Sequence, residues 1–320
     1  MVVGPVIIVA GPTASGKSRL GLELAKQFRG SVVNADSLQV YRELKILTNR
    51  PSKYVERIVP HHLYGVVSAS KRCSVGWWRR KAQLEIEQIA SLDCVPIFVG
   101  GTGLYINAFI NGIACIPNIP IAIRTEGRQL YQRLGGKKFR ERLVKDDAET
   151  ANRLHDGDKQ RLIRAWEVFT VTGRSISQWQ ADGGDESIRY PCFVIKIMPR
   201  RDDLYEKCNV RFADMMARGA LDEVVALGLL GLDPSLPAMK ALGVSELLSY
   251  LEGRMTLEAA CQRACQATRN YAKRQYTWFR NQLKSDIEIV DPVESYEEVV
   301  TAVTQFLLTS SQQPTSVARL

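Results

Sequence analysis

The residues with the plainest chemistry are Gly11 to Ser18, which read GPTASGKS and fit the pattern GxxxxGK[ST]. In such a loop glycines let backbone N–H groups turn inward around an anion. A following helix adds positive potential at its N-terminus, the lysine supplies a mobile cation, and the last hydroxyl reaches magnesium. Gly11, Pro12, Thr13, Ala14, Ser15, Gly16, Lys17 and Ser18 are therefore expected to hold a phosphate, with Ser18 as a ligand of Mg2+. The loop leaves open which phosphate. Most such loops act on ATP or GTP, but the same cradle suits any diphosphate, including one that departs as a leaving group.

Two further groups converge on it. Asp36 follows the apolar run Val32 to Ala35, which puts it at the carboxyl end of a strand, where open α/β sheets bind ligands. The position suits a general base, and it suits equally a magnesium ligand or a cap on the next helix. Gln39 and Tyr41 offer polar contacts for a base edge. A third strand ends in Gly100 to Tyr105, GGTGLY, a second glycine turn that brings Thr102 to the same edge. Pro60 to Leu63, PHHL, reads either as a proton-transfer pair or as a hydrogen-bonded structural pair.

The elements that must position these groups follow from hydrophobic pattern. Short apolar runs at Val6 to Val9, Ser31 to Ala35, Val95 to Val99, Phe193 to Ile197 and Ile287 to Val290 read as strands covered on both faces. Leu20, Leu24 and Phe28 recur at helical spacing between them, as do Trp78, Ala82, Ile86 and Ile89. The alternation predicts an α/β fold, a P-loop NTPase-like parallel sheet core, with a helical insertion domain. The core runs over 1–116 and 193–309. The insert runs over 117–192 and is bordered by Pro117, Pro120, Pro191 and the pair Gly183 and Gly184; a frayed tail covers 310–320.

Charge points to a polyanion. The chain carries 43 basic and 34 acidic residues, net +9, and each phosphate met by Lys or Arg releases counterions. From Ala259 to Ser285 there is no acidic residue, and Arg269, Lys273, Arg280 and Lys284 form one helical stripe among Tyr271, Tyr276, Trp278 and Phe279. At least two of these aromatics are expected in the core. In the insert, Lys137, Lys138, Arg140, Arg142 and Lys145 concentrate on one helix and Arg161 and Arg164 sit a turn apart on another. Basic helices on a separate domain suit a folded RNA. The seven cysteines, with no CxxC pair, read as reduced core thiols, and Cys261 and Cys265 alone do not close a zinc site. No apolar run approaches the roughly 18 residues that span a bilayer, so no membrane partner and a cytoplasmic location are expected; a monomer is expected as well.

The blocks GPTASGKS, ADSLQVYR (35–42), PHHL, GGTGLY, DKQRLIRAWEV (158–168), MMARGALDEV (215–224), ALGVSE (241–246) and YAKRQYTWFR (271–280), in this order, resemble the tRNA dimethylallyltransferases, or tRNA isopentenyltransferases. The resemblance covers most of the chain. It implies transfer of the dimethylallyl group of dimethylallyl diphosphate to N6 of adenosine 37, 3′ of the anticodon, giving N6-isopentenyladenosine and pyrophosphate. The base is turned out of the stack, as chemistry on a base requires. By resemblance the catalytic residues are Asp36 as base, with Lys17 and Thr102. Thr13 to Ser18 with magnesium hold pyrophosphate, and the insert grips the anticodon stem and loop. Positions touching tRNA are Asp36, Ser37, Leu38, Gln39, Thr102, Arg124, Gln160, Arg161, Leu162, Ile163 and Arg164.

The chain departs from the family after QVYR, where a glycine, an acid and TAKP are usual and this sequence reads ELKILTNRP (43–51). Local loop geometry and turnover are the properties at stake. Cys73 also stands where an aromatic is common. A small-molecule kinase would share the fold without a long basic insert, an adenine-nucleotide prenyltransferase would have no use for one, and a purely RNA-binding protein would not need Lys17 and Asp36.

Overall fold

The computed structural model describes residues 4–182 and 190–312. The strands are β1 (Val6–Ala10), β2 (Gly30–Asn34), β3 (His61–His62), β4 (Val95–Gly100), β5 (Cys192–Ile197) and β6 (Ile287–Ile289). All neighbours pair in parallel, in the order β3-β2-β4-β1-β5-β6. Five strands match the apolar runs. The sixth, β3, is the PHHL segment, too short and too polar to show a strand period.

The helices are α1 (Lys17–Gln27), α2 (Lys53–Ile58), α3 (Val75–Ala90), α4 (Gly103–Asn111), α5 (Ile121–Leu143), α6 (Ala148–Arg153), α7 (Lys159–Thr172), α8 (Ile176–Ala181), α9 (Arg201–Ala217), α10 (Ala220–Gly228), α11 (Val244–Leu251), α12 (Leu257–Gln282) and α13 (Tyr296–Gln312). Because side chains alternate along a strand, the sheet feeds two cores. Val6, Ile8, Val33 and Phe98 pack with Trp78, Ala82, Ile86 and Ile89 of α3 on one face. Ile7, Val9, Val32 and Ile97 pack with Leu20 and Leu24 of α1 and Val299 and Val303 of α13 on the other.

The chain forms two compact units, Met1–Ile110 with Arg189–Leu320, and Asn111–Ile188. The second unit is the helical insert, but its borders differ from the expected 117–192. It starts before the prolines because Pro120 caps the first long helix of the insert and does not mark where the two units part. Cys192, expected in the insert, is the first residue of β5. Gly183 and Gly184 lie outside the described residues. The expected fraying from Ser310 meets a helix that runs to Gln312, and 313–320 lie outside the described residues. Inside the insert, Leu130, Phe139, Leu143, Leu162 and Trp166 form a separate core. α5 kinks at Gly135, whose φ of 72° is left-handed and suits glycine.

Candidate active site

β1 ends at Ala10, and the chain turns through GPTASGKS into α1. Ala14 (φ 64°) and Gly16 (φ 89°) take left-handed conformations that rotate successive N–H groups to one side. Gly11 has no room for a side chain, since a Cβ there would lie 2.6 Å from the Ile197 carbonyl oxygen. Lys17 Nζ folds back onto the Pro12 carbonyl at 2.5 Å. Ser15 Oγ is buried without a hydrogen-bond partner. A buried hydroxyl with no partner, beside N–H groups turned to one side, fits an anion. Burial pushes the Lys17 ammonium down to about 7; the Asp36 carboxylate opposes the shift, and Arg211 adds to it.

Asp36 stands just beyond β2, at the same carboxyl edge. Its Oδ1 accepts the Leu38 N–H at 2.9 Å, while Oδ2 makes no hydrogen bond among the described residues. The expected helix cap is therefore a local turn cap, because the next helix, α2, starts only at Lys53. The phenols of Tyr64 and Tyr271 are raised first by burial and further by the Asp36 charge, and that of Tyr105 first by burial and then by its hydrogen bond to Cys73, with a smaller push from Asp36.

Thr102 arrives from the second glycine turn. Its Oγ1 accepts the Ser37 N–H at 2.9 Å and donates to Ser37 Oγ at 3.2 Å, and its own N–H reaches the Ala35 carbonyl at 3.3 Å. The turn must be glycine, since a Cβ at Gly100 would collide with the Ala35 backbone. Lys17, Asp36, Ser37 and Thr102 thus share one edge of the sheet. Gln39 spends its amide on the carbonyls of Thr48 (2.8 Å) and Asn49 (3.1 Å), and Leu38 packs against the core. The histidines serve the fold. His61 Nδ1 bonds the Val59 carbonyl at 2.8 Å and His62 Nδ1 bonds Glu85 at 2.7 Å, both on the edge strand β3.

Three residues escaped the sequence reading. Arg211 of α9 donates to Thr13 Oγ1, and with Lys207 it lines a cleft of about 340 Å³ over Ala14 to Arg19. A lysine and an arginine four apart in a helix otherwise rich in acids were the available signal. Gln275 of α12 accepts the Thr13 N–H at 2.8 Å and donates to the Gly101 carbonyl at 2.6 Å, tying the two glycine loops together. It carries no charge and so left no signal in a helix read for its cations. Trp278 of the same helix, one of the aromatics read beside the basic stripe, fills the space that a side chain at Gly103 would need.

A metal would find hard oxygen donors here. The Ser18 hydroxyl is exposed in the first turn of α1, but no group of three His, Cys, Asp or Glu able to hold a metal exists among the described residues. Such a donor set suits an ion that arrives with phosphate oxygens and water and not one held in a protein cage.

In the insert, Gln160, Arg161 and Arg164 line a cleft of about 510 Å³ with Arg153. Arg124 is exposed on α5. Leu162 and Ile163 are corrected: they are buried in the core of the insert, on the inner face of α7, and their side chains are closed to any ligand. Arg140 is bound to Asp156 at 2.5 Å and so is not a free cation. Lys145 follows the end of α5, and Lys284 follows the end of α12, so neither belongs to its expected helix. Of the four aromatics near the basic stripe, Phe279 is fully buried and Tyr276 and Trp278 pack against the core. The cysteines are free, and burial raises the Cys208, Cys261 and Cys265 thiols and takes Cys192 to about 12, away from the reactive thiolate.

The profile described as IPP transferase matches residues 39–282, and that described as isopentenyl transferase matches 4–57. The chain belongs to the IPP transferase family. Among family members, it is 50% identical over 282 residues to the tRNA dimethylallyltransferase of Rhodospirillum centenum, covering 87% of this chain and 89% of the relative. It is 45% identical over 283 residues to that of Paramagnetospirillum magneticum, covering 88% and 90%. The fold is likewise that of solved IPP transferases. The full-length tRNA isopentenylpyrophosphate transferase of Bacillus halodurans aligns with TM-score 0.69 and 31% identity over 97% of this chain and 98% of its own. A eukaryotic dimethylallyltransferase acting on tRNA aligns with TM-score 0.81 and 25% identity over 99% and 82%. The P-loop-like parallel α/β sheet is thus the fold of the family, and the resemblance read from sequence blocks holds.

Proposed function

We propose that this chain transfers the dimethylallyl group from dimethylallyl diphosphate to N6 of the adenosine 3′ of the tRNA anticodon, as a cytoplasmic monomer. The observation that carries the reading is the meeting of Asp36 with a phosphate cradle, Lys17 and Arg211 at one sheet edge. A kinase can use the same cradle and a carboxylate base, but a small-molecule kinase has no use for the basic cleft that Arg153, Arg161 and Arg164 line in the insert. Among the described residues no helix is long and apolar enough to cross a membrane.

In the reaction, the adenine N6 lone pair forms a bond to C1 of the dimethylallyl group. The C1–O bond breaks, its electron pair leaves with pyrophosphate, and Asp36 Oδ2 takes the proton from N6. The loop amides, Lys17 and Arg211 stabilise charge on the departing diphosphate, which is the larger contribution because an allylic carbon tolerates positive charge. A magnesium ion on Ser18 would supply further charge there. Thr102 fixes Ser37 and so the start of the segment that would meet the base. Arg124, Gln160, Arg161 and Arg164 supply RNA affinity from the insert.

Purified protein with labelled dimethylallyl diphosphate and a tRNA bearing adenine 3′ of the anticodon tests this. Label should move to the RNA with one pyrophosphate released per transfer. Steady ATP hydrolysis without prenyl transfer would overturn it.

A further inference from the structure

The segment 42–51, where this sequence leaves the family pattern, is held from outside. Glu223, in the first turn of α10, accepts three successive backbone N–H groups, from Lys45 (2.6 Å), Ile46 (2.7 Å) and Leu47 (2.9 Å). The turn closes with the Asn49 N–H on the Ile46 carbonyl at 2.9 Å and the Arg50 N–H on the Lys45 carbonyl at 3.0 Å. Gln39 then binds the Asn49 carbonyl at 3.1 Å. Asn49 adopts φ 52°, a left-handed conformation that asparagine tolerates better than most residues.

Held this way, Asn49 lines the cleft over the phosphate loop together with Lys207 and Arg211. Arg218 Nη2 faces Asn49 Oδ1 at 3.4 Å. A guanidinium only donates, so the amide end facing it must be the oxygen. The amide nitrogen Nδ2 then has no partner among the described residues. The TAKP pattern usual in the family the chain resembles puts alanine at this position, and alanine carries no side-chain donor.

We propose that Asn49 is an additional diphosphate contact of this chain, its Nδ2 donating to a phosphate oxygen, and that Glu223 is the positioning residue that holds it there. The inference rests on the reading of the phosphate loop given above. It also explains how a loop that has lost its glycines still serves the site. The backbone is shaped by a carboxylate from α10, and the residue that replaces alanine gains a donor.

Calorimetric titration of the full chain with inorganic pyrophosphate and magnesium tests it. Asn49→Gly keeps the left-handed backbone and removes the amide, and should weaken pyrophosphate about 10-fold. Asn49→Asp, nearly isosteric, replaces the donor with a negative charge and should weaken it further, with tRNA affinity unchanged in both. Glu223→Gln should weaken pyrophosphate in the parent chain but add little on top of Asn49→Gly. Simple additivity would overturn the positioning role. Lys17→Met is the reference. If it loses pyrophosphate while Asn49→Gly does not, the Asn49 contact is wrong and the phosphate loop stands. If neither variant loses it, the phosphate-loop reading falls and the inference falls with it.

Discussion

Asn34 grips the backbone of Asp36 from both sides: its Oδ1 accepts the Asp36 N–H at 2.8 Å and its Nδ2 donates to the Asp36 carbonyl at 3.0 Å. The same amide donates to the Leu63 carbonyl at 3.1 Å, and the Asn34 carbonyl takes the indole N–H of Trp78 at 2.8 Å. Trp78 is fully buried and stacks on Tyr105 at 4.4 Å. The carboxylate at the sheet edge is thereby tied to the centre of the core.

Asn34→Ala should therefore affect stability and chemistry together. It leaves buried groups of Asp36 and Leu63 unpaired, which costs about 2–4 kcal/mol in total. The released turn should also lower single-turnover prenyl transfer by about 10- to 100-fold, since small misplacements of a reacting group are costly. Urea unfolding and single-turnover rates on the same preparation check both halves. A destabilised variant with a normal rate would show that Asn34 serves the fold alone.

Much of this site was legible in the sequence because its parts are local. The phosphate loop, Asp36 and the GGTG turn each follow an apolar run that forms a strand, and parallel strands bring their carboxyl ends to one edge. What was not legible arrives from far along the chain. Gln275 meets Thr13 across 262 residues, and Glu223 meets Lys45 across 178. No spacing rule reaches that far. The α7 positions failed for a different reason: a run of consecutive residues on a helix points around its whole circumference. Arg161 and Arg164 can face a ligand only if Leu162 and Ile163 turn inward.

Lys17 sets a pH dependence. Its amine is held near 7 by burial, and a bound diphosphate favours the charged form, so above pH 7 binding must also take up a proton. Relative to Lys17→Arg, which stays charged, the parent chain should lose about 10-fold in pyrophosphate affinity per pH unit above 7. Below pH 7 the two should run parallel. Titrations from pH 6 to 9 check this, and comparing the two proteins cancels the ionisation of pyrophosphate itself. Stability moves in the opposite direction: the lysine charge opposes folding in full below its folded value near 7, and this penalty fades, so that stability rises, as pH climbs toward its ordinary 10.5.

The basic end of α5 should carry RNA affinity through three residues. Lys137, Lys138 and Arg142 are exposed, whereas Arg140 is engaged by Asp156. Replacing the first three by alanine should weaken tRNA binding and reduce the slope of log affinity against log salt by about 2–3, one unit or slightly less for each phosphate that no longer meets a cation. Pyrophosphate affinity should not change. Arg140→Ala should instead act mainly on the stability of the insert. An unchanged salt slope in the triple variant would remove this helix from the RNA surface.

Asp36 is the sharpest test of the chemistry, because the structure leaves its two oxygens in different circumstances. Oδ1 is engaged by the Leu38 N–H, and Oδ2 is free to accept a proton or to touch a metal. Asp36→Asn keeps size and, with its carbonyl oxygen on Leu38, keeps the turn, but it places a donor where the acceptor stood. If Oδ2 is the base, single-turnover transfer should fall by about 10²- to 10⁴-fold with pyrophosphate and tRNA affinities retained. If Asp36 instead mainly supports magnesium, the variant should lose pyrophosphate affinity, and raised magnesium should restore much of the rate. Transfer measured across a magnesium series separates the two. A deficit that persists at saturating metal identifies the base, and recovery with metal moves Asp36 to the diphosphate side of the site.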